Sequence, residues 1–394
     1  MLDESGFQKV DQPEAADILI MNTCGCLETL QEKARQAIQK GVGLNAKQES
    51  KQAKKIIVAG CYPLIDKGNN LAELGIEFFP PGEVEELKKI LGLSEQKTAS
   101  PEIHSLYSDD LNNQPGFVTK PVKFYQQLKK IENKIGLRSP KLHTFFKSIM
   151  MTSEFHYVVV GKGCMGNCTF CGIKLAIGNP ASRPLNEIIN NIRKGIVNGK
   201  KDIWLVSDDV GCWGQDLGSN SAELLKQILL IPSPMNLVIN YFEPEMLLEQ
   251  KARLLNIFRD PRLIQICLPL QTGSQALLKK MGRHYDIAEV LETILEIRKL
   301  NPLLVIKTQY IVSFPTETWR EFFLTLWSMR FFDGVGVNVY ARLKYTPAYR
   351  LKPNPQWVDR TRGVIAKAFA TLIHLRFVAR CMFQWQKGIV RESE

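Results

Sequence analysis

Cys164, Cys168 and Cys171 stand in the segment Gly163-Cys-Met-Gly-Asn-Cys-Thr-Phe-Cys171, a C-x3-C-x2-C spacing. Three thiolates this close along a chain can face one metal centre, and Gly163, Gly166 and Gly172 permit the tight backbone such a loop needs. Three readings of the trio are open at this point. A structural zinc site takes four ligands, usually in two pairs, and no fourth Cys or His stands at a suitable spacing. Buried, inert cysteines account well for single positions and poorly for a tight group. A [4Fe–4S] cluster held by three cysteines leaves one iron open, and an open iron can bind a substrate or cofactor directly.

The remaining cysteines divide by position. Cys24, Cys26 and Cys61 lie near the N-terminus, whereas Cys212, Cys267 and Cys381 are scattered. Cys212 and Cys267 sit among apolar neighbours and read as core fillers. Nine cysteines is an odd number, and the first residues lack the basic-then-apolar layout of a secretory signal. The thiols are therefore expected to stay reduced in a cytoplasmic setting. No run of apolar residues approaches the ~18 of a membrane span, so no membrane association is expected.

The elements that must carry these residues follow a β-then-α rhythm. Ala16–Asn22 and Lys55–Gly60 are short apolar runs that read as buried parallel strands, with helices predicted over Glu28–Lys40 and Glu83–Leu91. Cys24 and Cys61 fall just past the C-terminal ends of these strands, where open α/β sheets place ligands. Gln96–Ser153 is the least regular region and reads as a linker or insertion. From His156 the rhythm resumes, with strands predicted over His156–Val160, Asp202–Val206, Asn236–Ile239, Leu263–Leu270, Leu303–Val312 and Gly336–Tyr340. The helices between them include Pro244–Leu255, Ser274–Met281 and Thr318–Phe331. Six βα units are too few for an eight-stranded barrel, so a partial, open barrel is expected, its site at the strand C-terminal ends. The expected domains are residues 1–95, a linker over 96–152, the barrel over 153–350 and a basic extension over 351–394.

Charge adds a weaker signal. Lys and Arg number 51 against 40 Asp and Glu, a net +11, compatible with a polyanionic partner and equally with a solvated surface. From Arg342 to Glu394 the chain holds eleven basic residues against three acidic ones. Within it, Arg376–Lys387 interleaves basic residues with Phe377, Phe383 and Trp385, a pattern that suits RNA contact or a packed amphipathic helix.

The cysteine trio, with its aromatic before the last Cys, resembles the motif of the radical S-adenosylmethionine (SAM) superfamily. Further segments narrow the likeness to the methylthiotransferases: Asn22-Thr-Cys24, Ala59-Gly-Cys61, Ile203–Gly218, Pro269-Leu-Gln-Thr-Gly-Ser274, Leu278–Arg283, Phe314-Pro-Thr-Glu-Thr318 and Tyr345-Thr-Pro-Ala348. Gly178–Pro184 and the Ser207–Gly211 loop are most similar to the branch that modifies threonylcarbamoyladenosine in tRNA. Asn22-Thr-Cys-Gly25 leans toward the branch acting on a ribosomal protein. The resemblance implies an α/β fold, a small N-terminal parallel domain plus a partial (βα)6 radical SAM barrel. It implies that Cys164, Cys168 and Cys171 hold the [4Fe–4S] cluster that cleaves SAM, and that Cys24 and Cys61, with Cys26, hold a second. One SAM would methylate a sulfur on the second cluster and another would supply the radical that activates an adenine carbon.

The same resemblance gives further residues a role. Asp208 and Asp209, Gln271, Thr272 and Ser274 past strand ends, and Arg342 near the last strand, are the expected cofactor-binding residues; a polar turn is the bland reading of each. The implied partners are tRNA or a ribosomal protein, and a flavodoxin- or ferredoxin-like electron donor. A degenerate paralogue that keeps one cluster and only binds RNA or protein is the alternative class. The chain departs from the family at Ser313 and Thr316, where glycine is usual. The family's upstream Gly-Cys-x-x-Asn segment and its basic C-terminal TRAM domain are also not recognisable in it.

Overall fold

The computed structural model describes residues 7, 8, 10, 12–23, 28–46, 55–65, 71, 73–79, 84–93, 142 and 155–386. Cys24, Cys26, the tail after 386 and, apart from Leu142, the predicted linker 96–152 lie outside them. The chain divides into two compact units. The first comprises residues 1–108 together with 167–178 and 341–350; the second comprises 109–166, 179–340 and 351–394.

The first unit holds a three-stranded parallel sheet in the order β1 (Ile18–Thr23), β2 (Lys55–Gly60), β3 (Glu77–Phe79). Its helices are α1 (Glu28–Ala46), α2 (Cys61–Ile65) and α3 (Val84–Ile90). The middle strand explains its own composition. Ile56 and Val58 pack on one side with Ala34 and Ile38, while Ile57 and Ala59 pack on the other with Phe79 and Leu87. A strand covered on both faces reads as a continuous apolar run rather than an alternating one.

In the second unit six parallel strands are paired in strict chain order: β4 (Phe155–Val159), β7 (Asp202–Val206), β8 (Asn236–Ile239), β9 (Leu263–Cys267), β10 (Val305–Val312) and β11 (Gly334–Val339). A two-residue antiparallel ribbon, β5 (Gly161–Lys162) with β6 (Ala181–Ser182), brackets the cysteine segment. Helices α5 (Leu185–Val197), α6 (Ser221–Leu229), α7 (Pro244–Glu249), α8 (Lys251–Ile257), α9 (Gln275–Lys280), α10 (Ile287–Leu300) and α11 (Trp319–Met329) connect the strands. The short helix α4 (Ile173–Ala176) belongs to the first unit. Ile203, Leu205, Leu237, Ile239, Ile306 and Tyr310 point from the sheet into the helical layer, all of them fully buried. The opposite face carries Phe155, Tyr157, Trp204 and Val238, with the Phe155 and Trp204 rings edge to face at 4.8 Å.

Two sequence expectations are corrected by tertiary bonds. The helix expected over Pro244–Leu255 breaks at Gln250, whose Oε1 accepts hydrogen bonds from Ser221 Oγ and Ala222 N, both at 3.0 Å. The strand expected to reach Leu270 stops at Cys267. Pro269 has no N–H to continue a ladder, and Gln271 turns at φ 64° while its own N–H and C=O bridge to β10. Beyond β11 the extension is one 31-residue helix, α12 (Gln356–Gln386), whose Ala366, Ala370, Ile373 and Phe377 are buried. His374 Nε2 accepts the Val335 N–H of edge strand β11 at 2.9 Å.

The Phe314–Thr318 loop is pinned from α12. Arg362 pairs with the Glu317 carboxylate at 3.1 Å and also donates to its carbonyl, while Glu317 accepts the Ser313 N–H at 2.8 Å. Burial pushes Glu317 up to about 7. Ser313 and Thr316 adopt φ values of 62° and 75°, left-handed backbone in which a Cβ is strained. Exposed, β-branched Thr316 should therefore yield to glycine: Thr316→Gly is expected to raise stability by about 1 kcal/mol in urea unfolding. Gly273 is the opposite case, since a Cβ there would lie 2.3 Å from the Leu324 carbonyl oxygen of α11. Gly273→Ala is expected to cost about 1–3 kcal/mol in the same measurement.

Candidate active site

The site of the second unit grows from the ends of β4 and β7. Past β5, Gly163 turns at φ 78° and donates its N–H to Asp208 Oδ2 at 2.8 Å. Burial pushes the Asp208 carboxyl above the usual carboxylate range, the Gly163 N–H opposing it. The next residue is Cys164, half-buried, whose Sγ accepts the Gly166 N–H at 3.2 Å.

Asp209 is buried, and its two oxygens serve three donors. Oδ1 accepts from Gly211 N at 2.8 Å and Glu243 N at 3.0 Å, and Oδ2 accepts from Cys212 Sγ at 2.7 Å. One ligand-type atom each from Cys164, Asp209 and Cys212 lies within 4.8 Å of the others. Cys212 is thus more than a core filler; the sequence gives no spacing that would pair it with Cys164. Hydrogen bonding with Cys212, joined by the Gly166 N–H, holds the Cys164 thiol below its ordinary range, and the same partnership with burial pushes Cys212 up.

The ribbon is tied to the loop that follows β7. Trp213 Nε1 donates to Arg183 O at 3.0 Å, Gly214 N to Ser182 Oγ at 2.8 Å, and Ser182 N to Asp216 Oδ2 at 2.8 Å. The conspicuous Trp213-Gly-Gln-Asp216 string is therefore a fastening. A second tie went unread in the sequence. Glu243, just past β8, forms a buried ion pair with Arg283, which also donates to Pro269 O beyond β9 at 3.0 Å. Burial pushes Glu243 up to about 8 against the pull of the Arg283 cation. The available signal was an acid directly before Pro244 at a helix start and an Arg after Gly282 in the Leu278–Arg283 segment.

Gln271, Thr272 and Ser274 lie together past β9, apart from the aspartates in their bonding. Thr272 is fully buried, its Oγ1 3.1 Å from Thr325 Oγ1, and Ser274 caps α9 through Leu277 N at 3.3 Å. The Thr272 hydroxyl holds the turn against α11, and the Ser274 hydroxyl ties it to the start of α9.

The first unit carries Cys168, Cys171, Cys61 and Arg342. Cys171 N donates to Cys168 O at 3.2 Å, and Cys171 Sγ accepts the Ile173 N–H at 3.4 Å. Gly172 packs against α2, its hydrogen replacing a Cβ that would sit 3.2 Å from Ile65. Cys61, half-buried, opens α2 directly after Gly60. Thr23, the residue before Cys24, pairs in register with Gly60, which turns at φ 100°. Arg342 is exposed, stacks on the Tyr349 ring at 4.3 Å and donates to Tyr349 O at 2.9 Å.

Losing the Asp209 carboxylate would strand two backbone N–H groups and the Cys212 thiol in a dry interior. Asp209→Ala is expected to lower stability by at least about 2 kcal/mol, read by chemical denaturation.

Cys164, Cys168 and Cys171 are reduced thiols on one short loop, and backbone N–H groups aim at two of the three sulfurs. That donor set fits a [4Fe–4S] cluster, whose sulfur ligands are tuned by such hydrogen bonds. The profile of the radical SAM superfamily matches residues 158–326, and that of uncharacterized protein family UPF0004 matches residues 1–77. Ribosomal protein uS12 methylthiotransferase RimO of Carboxydothermus hydrogenoformans is 31% identical over 362 residues, spanning 89% of this chain and 73% of its own. The probable threonylcarbamoyladenosine tRNA methylthiotransferase of Pyrococcus horikoshii is 26% identical over 363 residues, 91% of this chain and 76% of its own. Among solved structures, the radical S-adenosylmethionine methyltransferase TsrM of Kitasatospora setae, with cobalamin and a [4Fe–4S] cluster bound, superimposes with a TM-score of 0.54 at 13% identity. That match covers 84% of this chain and 65% of TsrM, a likeness of fold. With both profiles in order along one chain and the RimO relative aligned over most of its length, this protein belongs to the radical SAM methylthiotransferase family.

Proposed function

We propose that this enzyme inserts a methylthio group into a C–H bond of a modified adenosine in tRNA. The observation that carries the reading is the cysteine loop that follows the first strand of a parallel sheet, two of its three sulfurs met by backbone N–H groups. Relatives named as threonylcarbamoyladenosine tRNA methylthiotransferases, from Pyrococcus to human, support the substrate. With clusters on Cys164, Cys168 and Cys171 and on Cys61 with Cys24 and Cys26, the chemistry supplied is reductive cleavage of SAM and donation of a sulfur.

The chain's own residues do the positioning. Asp208 fixes Gly163 and so the entry of the loop, and Asp209 holds the turn after β7 to the start of α7. With its oxygens engaged by three internal donors, Asp209 acts as a positioning residue, and the less buried Asp208 is the better placed of the two for a ligand's ammonium or ribose. Thr272 and Ser274 set the turn after β9, and Gln271, in its bridging backbone, is the member of that group assigned to cofactor contact. Arg342 offers a guanidinium to a carboxylate or phosphate. A flavodoxin- or ferredoxin-like protein supplies the electron, in the cytoplasm. Among the described residues no helix is long and apolar enough to cross a membrane.

Mass spectrometry of tRNA nucleosides from a deletion strain is the direct test. Loss of a methylthio-adenosine, restored by the intact gene, is expected; an unchanged profile with an altered uS12 protein would move the assignment to the ribosomal substrate. Iron analysis of the anaerobically reconstituted protein should give about eight irons per chain, falling to about four when Cys164, Cys168 and Cys171 are all changed to Ala.

A further inference from the structure

Helix α11 turns an unusual face outward. Trp319, Phe323 and Trp327 are 39%, 58% and 47% exposed, and at four-residue intervals they form one stripe. Their rise along the helix is about 6 Å from ring to ring. The Trp319 and Phe323 rings lie 6.2 Å apart and tilted by 34°, and Trp327 continues the stripe one turn on. The interior side of the same helix is fully engaged, with Phe322, Thr325 and Met329 buried, so the outer aromatics contribute little to the core.

Among the described residues of α11 the exposed charge has one sign. Arg320 and Arg330 are exposed at its two ends, and the Arg330 guanidinium lies over the Trp327 ring at 4.1 Å. Helix α12 packs beside α11, with the buried Arg362 guanidinium over the Trp319 ring at 4.8 Å. The acids of these two helices are turned inward. Glu321 closes the capping box with Thr318, and Asp359 is half-buried and accepts from Asn354 at 3.3 Å. In the basic and aromatic stretch from Arg376, Phe377 is a core residue and Phe383 is exposed.

We infer that the outer face of α11, with exposed Arg320 and Arg330 at its ends, is a docking platform for single-stranded RNA. Spaced aromatic rings accept splayed bases, whose π-faces stack regardless of sequence. The arginines supply phosphate contacts and planar stacking partners. A platform of this kind holds an unpaired stretch of the substrate while the adenosine reacts elsewhere. The inference deepens the tRNA reading above and rests on it for the identity of the RNA.

The test uses the full chain with its iron–sulfur content intact. Its binding to a fluorescein-labelled oligoadenylate and to total tRNA is compared with that of Phe323→Ala/Trp327→Ala, Trp327→Tyr and Arg330→Gln. The double alanine variant is expected to bind both probes at least about tenfold more weakly, with unchanged iron content and circular dichroism. Trp327→Tyr should stay within about twofold, because a tyrosine ring still stacks. Arg330→Gln should reduce the slope of log affinity against log salt by about one. Equal oligoadenylate binding by the intact protein and the double variant overturns the platform. A double variant that instead turns a dimer into a monomer, with RNA binding unchanged, overturns it in favour of a protein contact. Cells carrying the double variant separate the two proposals. Intact nucleoside modification with unchanged RNA binding refutes the platform alone; lost RNA binding alongside a deletion strain with normal nucleosides refutes the tRNA substrate alone.

Discussion

One buried carboxylate organises the reactive end of the larger unit. Asp209 accepts from the turn after β7, from the start of α7 after β8 and from Cys212, which adjoins Cys164. Each of these donors would otherwise be a polar group sealed from water, and such groups are costly to leave unmatched. The desolvation that raises the affinity of Asp209 for a proton is opposed by every one of those donors and by the Arg283 cation. The strand ends are thus locked by a satisfied polar knot rather than by apolar packing, which is non-directional and would not fix where a sulfur points.

The rest of the second unit repeats that logic at larger scale. Strands paired in chain order all end on the same edge, so each following loop starts from a defined height. Buried ties then join neighbouring loops: Asp209 links the loops after β7 and β8, Arg283 those after β8 and β9, and Arg362 holds the loop after β10 from α12. In the first unit the same principle is local. Thr23 Oγ1 donates to Ala59 O at 2.7 Å, and Gly60 leaves no room for a Cβ, so the ends of β1 and β2 are fixed beside one another.

Much of this was legible in the residues. Lys55–Gly60, Asp202–Val206 and Asn236–Ile239 form strands with the boundaries their apolar runs predict, because strands buried on both faces write an unbroken signal. The cysteine spacing and the order of family segments carried the family. What the sequence did not carry is contact between distant segments. Nothing near Gln250 announces that its amide belongs to Ser221 and Ala222, and nothing near Cys212 announces Cys164. The Trp213–Asp216 string, legible in the sequence only as part of the Ile203–Gly218 family segment, is a fastening for β6. Of the 31-residue helix only the Arg376–Lys387 end was read as a possible amphipathic helix, since further up its buried side is made of small residues, Ala366 and Ala370, and of Arg362.

That helix has a consequence for how the protein is made. β11 is an edge strand whose Val335 N–H is satisfied by His374, a residue synthesised thirty-nine positions later. Until α12 is made, the partner of that N–H is missing and the β11 margin of the sheet is bare. Such a margin is a template for pairing with another polypeptide. The interval between translating β11 and seating α12 is therefore one in which that margin stays open to such pairing.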